Sequence, residues 1–60
     1  MTDERKAAER KRLQNKRALS LIDEYRELVM VLYRTADAEE ALNAAQLLAM
    51  IETEMLTRMK

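Results

Sequence analysis

The sequence predicts an all-α fold: a two-helix antiparallel hairpin that dimerises into a four-helix bundle and carries a basic N-terminal helical extension. Three observations lead there. The chain of 60 residues has no Gly and no Pro, so the residues that turn the chain between many short strands are missing. Two stretches repeat apolar residues at spacings of three and four, the period of one helix face. The charges, finally, are divided along the chain. Residues 1–17 hold seven bases against three acids, a balance of +4, and residues 18–60 hold four bases against eight acids, a balance of −4.

The first element is polar. Residues 2–17 contain Leu13 as their only large apolar side chain. As a helix continuous with the next element they would project about 24 Å beyond the apolar stripe, at 1.5 Å per residue. Lys6, Arg10 and Arg17 then fall on one line of the helix, and Arg5, Arg12 and Lys16 on another about 120° away. With Lys11, these seven are the candidate nucleic-acid-binding residues. An extended helix displaying them can neutralise backbone phosphates and enter a major groove. It can also dock on an acidic protein surface. No aromatic residue lies in this segment, so stacking on single-stranded bases is not expected.

The second element is residues 18–36, with a stripe at Ala18, Leu21, Ile22, Tyr25, Leu28, Val29, Leu32 and Ala36. The third is residues 38–59, with a stripe at Ala41, Ala44, Ala45, Leu48, Ile51, Met55 and Met59. Its opposite face, Glu39, Asn43, Gln46, Thr53, Thr57 and Lys60, is polar and interrupted only by Met50. Asp37 and Glu40 between the two stripes have capping-box spacing, which marks a helix start. A break near residue 36 lets stripes of nearly equal length fold together. Residues 1–17 are thus expected to form a basic arm, helical or partly disordered, and residues 18–60 a helical-hairpin oligomerisation domain.

Self-association follows from size. Two helices cannot enclose a core, and a chain near 60 residues buries only about 60% of its unfolded surface. The run Leu28-Val29-Met30-Val31-Leu32-Tyr33 is apolar around the whole helix and needs neighbours on more than one side. The expected oligomer interface is Leu21, Ile22, Tyr25, Leu28, Val29, Leu32, Leu48, Ile51 and Met55.

The chain contains no Cys and no His, which excludes disulfides, Cys/His zinc sites and histidine or cysteine catalysis. No cofactor, no metal site and no enzymatic activity are expected. No stretch is long and apolar enough to span a bilayer, and the charged N-terminus lacks the apolar core of a signal peptide, so the expected location is cytoplasmic. The expected function is a small regulator, of the kind found among plasmid and phage accessory proteins, that binds duplex DNA or structured RNA through its basic arm. The alternative is a protein-interaction module, an inhibitor or assembly adaptor, that binds an acidic or apolar partner.

Glu4-Arg5, Ala8-Glu9-Arg10-Lys11-Arg12 and Asn15-x-x-Ala18-x-Ser20 resemble the basic region of Jun-type bZIP factors over about 17 residues. The sequence departs from that pattern at Leu19 and Asp23, and no leucine zipper follows in register. Leu19-Ser20-Leu21-Ile22-Asp23-Glu24 and the Asp-containing turn give an architecture similar to the Rop family, helical hairpins that dimerise into a bundle. That likeness is one of fold and carries no function.

Overall fold

The computed structural model describes residues 1–60 as three α-helices without strands: α1 (Asp3–Gln14), α2 (Ala18–Arg34) and α3 (Ala38–Arg58). The all-α expectation holds. The expectation of two helices, with residues 1–17 extending the first of them, does not. Helix α1 is a separate element, folded back onto α3.

Each helix boundary has a local cause. Thr2 caps α1 by accepting from the Arg5 amide at 3.2 Å. Asp3 and Glu4 stand in its first turn and Lys11 and Arg12 in its last, an arrangement that suits the helix dipole. Helix α2 starts after Arg17 in extended backbone, with no side-chain cap. It ends at Thr35, whose hydroxyl accepts from the Asp37 amide at 3.1 Å. Asp37 then caps α3, taking the amides of Glu39 at 2.9 Å and Glu40 at 3.4 Å on one carboxylate oxygen. The turn falls at residues 35–37, where that cap predicts it.

Helices α2 and α3 pack along one another and run antiparallel. The Tyr25 hydroxyl reaches Glu52 at 2.9 Å, while Arg34 and Glu40 line one groove beside the connection. Leu21 and Ile51 are fully enclosed, Ala44 and Leu48 are also buried, and Tyr25, Leu28, Met50 and Met55 pack around them. The last member of the core is Leu13, brought in by α1.

Helix α1 folds back because three attractions outweigh a continuous helix. Burying Leu13 removes a leucine side chain from water, a gain of about 1.5–3 kcal/mol. Salt bridges tie Arg12 and Lys16 to Glu24 on α2. The Arg58 guanidinium at the end of α3 donates to the carbonyls of Leu13 and Gln14 in the last turn of α1 and to that of Lys16 in the connection, where the backbone no longer has its full set of intrahelical partners. The molecule measures 36 × 24 × 15 Å. A 21-residue α3 already spans about 32 Å of that length, so nothing projects beyond it.

Candidate functional site

The seven bases expected to bind an anionic partner divide into two sets. Arg12 and Lys16 are held internally. Arg12 places Nη1 at 2.6 Å and Nη2 at 2.8 Å from the two oxygens of Glu24, and Lys16 Nζ lies 2.6 Å from Oε1 of the same carboxylate. Arg12 also binds Glu9 through Nε at 3.0 Å and through Nη2. Such charge-assisted, forked pairing is among the stronger side-chain interactions. It holds the Glu24 carboxyl down at about 2, chiefly through the hydrogen bond from Arg12, and raises Arg12 above its usual range in return.

Arg5, Lys6, Arg10, Lys11 and Arg17 form no ion pair, and all but half-buried Lys6 are exposed. They do not form one stripe. At 100° per residue the outward side of α1 presents Glu4, Ala7, Ala8 and Lys11. Arg10 lies instead at the α1–α3 groove of about 360 Å³, with Leu13, Gln14, Met50 and Glu54. Docking α1 has turned a basic arm into scattered cations.

Sequence reasoning missed Glu24 as the partner of the arm and Arg58 as the cap of α1. Leu13 was the available signal: a single large apolar residue in a polar helix, followed at once by the helix-ending Asn15. Periodicity cannot register one residue.

The second surface is apolar. Of the expected interface residues, Leu21, Leu48 and Ile51 are enclosed by the chain itself, and Tyr25, Leu28 and Met55 pack on them. Val29 is half-buried, while Ile22 and Leu32 remain exposed. More apolar surface lies outside that set: Leu19 is 77% exposed, Tyr33 84%, Met59 73% and Leu56 59%. An open groove of about 480 Å³ runs between α2 and α3, lined by Ile22, Tyr25, Arg26, Glu52, Met55 and others. Across it the Tyr25 phenol donates to Glu52, and that carboxylate raises the phenol's pKa.

No family model, curated protein or solved structure matches this chain. No three Asp or Glu side chains converge as a metal site would require. No helix is long and apolar enough to cross a membrane.

The Glu24 cluster makes the docking of α1 sensitive to acid. Its folded pKa of about 2 lies below the ordinary 4.5, so its contribution is complete above pH 4.5 and is lost as pH falls toward 2. Protection of the residue 3–14 amides, measured as exchange relative to the intrinsic rate at each pH, is expected to fall through that window. In Glu24→Gln the α1 amides should exchange faster at neutral pH, and their rates should show no added acid step. An unchanged acid step in the variant would place the sensitivity on another carboxylate.

Proposed function

We propose that this protein is a small non-enzymatic helical association module, whose working surface is the exposed apolar face of α2 and α3. The observation that carries this reading is the imbalance of the fold. Five of 60 residues are buried, while Leu19, Tyr33, Leu42, Leu56 and Met59 are each more than half exposed. Contiguous apolar surface of this kind marks an interaction site in a soluble protein. Sedimentation equilibrium from 1 to 100 μM (roughly the range in which transient interfaces associate) tests it. A rising average mass supports the module, and a constant mass of 7.0 kDa defeats self-association.

A second reading keeps the nucleic-acid partner, supported by the five cations that lack a carboxylate. It predicts how binding responds to salt. Each neutralised phosphate contributes about −0.9 to the slope of log K against log salt on duplex DNA, so binding through these five cations alone gives a slope of up to about −4.5. Glu24→Gln frees Lys16, while Arg12 keeps Glu9, and should steepen it toward about −5.4. Fluorescence anisotropy of a labelled duplex and a stem-loop RNA measures both. Absence of binding to either probe at low salt removes this reading.

A further inference from the structure

The exposed apolar residues are ordered. On α2, Leu19, Ile22, Arg26, Val29 and Tyr33 follow one another at spacings of three, four, three and four. On α3, Leu42, Ala45, Ala49, Glu52, Leu56 and Met59 do the same. All of them are exposed except half-buried Val29. Alternation of three and four is the pattern of a helical seam, which packs into the side of another helix. These seams lie outside the enclosed core of Leu21, Ala44, Leu48 and Ile51, so each helix carries two apolar faces, and the protomer uses one.

The two seams are also in register. The Tyr25–Glu52 hydrogen bond sets the level of α2 against α3. Because the helices run antiparallel, Leu19 lies level with Met59, Ile22 with Leu56, and Arg26 with Glu52. Farther along, Val29 lies level with Ala49 and Tyr33 with Ala45. Val29 and Tyr33 share their levels with alanines, while Leu19 and Ile22 share theirs with Met59 and Leu56, so every uncharged level carries at least one larger apolar side chain. Each seam is interrupted by one charge, and the two charges are opposite and level. Arg26 has no ion pair within the chain, and Glu52 uses one oxygen, on Tyr25.

We propose that a second copy of this chain covers the outer seams, α2 of each protomer lying against α3 of the other about a two-fold axis parallel to the helices, with Arg26 facing the partner's Glu52. This names the partner and the face of the association module and rests on that reading. A two-fold axis in this direction preserves level, so every layer above is completed by the same residues of the second copy, and the charge pair forms twice. A monomer of 7.0 kDa is expected to expose about 4,000 Å², whereas this chain exposes 4700 Å². The excess is close to the roughly 800 Å² that each partner contributes to a standard interface.

Charge reversal tests it. Arg26→Glu and Glu52→Arg each place like charges opposite one another at both pair positions, and each should weaken dimerisation by at least about tenfold. Mixed in equal amounts, the two variants restore opposite charges at both positions, and dimer should return to near wild-type affinity. Sedimentation gives the masses, and circular dichroism confirms that the single variants keep their helices. Wild-type affinity in either single variant, or a mixture no tighter than its components, overturns this interface while leaving self-association intact. A wild-type chain that stays monomeric overturns both.

Discussion

Replacing Ile51 by Ala is expected to leave the chain largely unfolded at 25 °C. Ile51 is fully enclosed and joins all three helices, in contact with the Leu13–Leu21 cluster and with Met50, Met55, Tyr25 and Leu28 around it. Truncations of this kind cost about 2–5 kcal/mol, because the cavity adds to the lost transfer energy. A core of this size rarely supplies more than about 3–5 kcal/mol in total. Thermal and urea unfolding followed by circular dichroism measure the loss. Truncating Leu56, 59% exposed, should cost the isolated protomer little. If the two variants unfold alike at concentrations below dimerisation, the core has been assigned wrongly.

Leu13→Glu is expected to release α1 while α2 and α3 stay paired. The substitution replaces the apolar side chain by a carboxylate where Leu13 is 1% exposed, and taking a charge out of water is avoided by opening the structure. Once undocked, α1 does not persist. A helix of its 12 residues is marginal alone in water. Against 17 residues in α2 and 21 in α3, losing α1 should lower the helical signal by roughly a quarter. Trypsin should then cut first after Arg5, Lys6, Arg10, Lys11 or Arg12. Loss of the whole helical signal would instead show that α2 and α3 do not hold together without α1.

That experiment separates what was legible in the sequence from what was not. Helices α2 and α3 were legible because their apolar residues recur at the helical period, and the turn between them because Asp37 offers a carboxylate to the first amides of α3. The candidate binding surfaces were legible only in part. The seven cations were visible as a cluster in sequence, but Glu24, which holds two of them, lies eight residues beyond Lys16 and twelve beyond Arg12. The expected interface followed the stronger stripe on each helix. That stripe includes Leu21, Leu48 and Ile51, which the protomer encloses, while the weaker outer seam through Leu19, Tyr33, Leu42 and Leu56 stayed in water.

The sequence by itself determined helices α2 and α3 and the turn at residues 35–37, since propensity, period and capping act between residues within about four positions of one another. Only the tertiary structure decided the fate of residues 1–17. Leu13 meeting Ile51, Arg12 meeting Glu24 and Arg58 meeting the last carbonyls of α1 join residues up to 45 positions apart. No local pattern encodes such pairings. They exist because folding α2 onto α3 creates, at one end, an apolar gap, an unpaired carboxylate and a guanidinium that Glu54 holds only through Nε, and the segment of α1 and its connection fills all three.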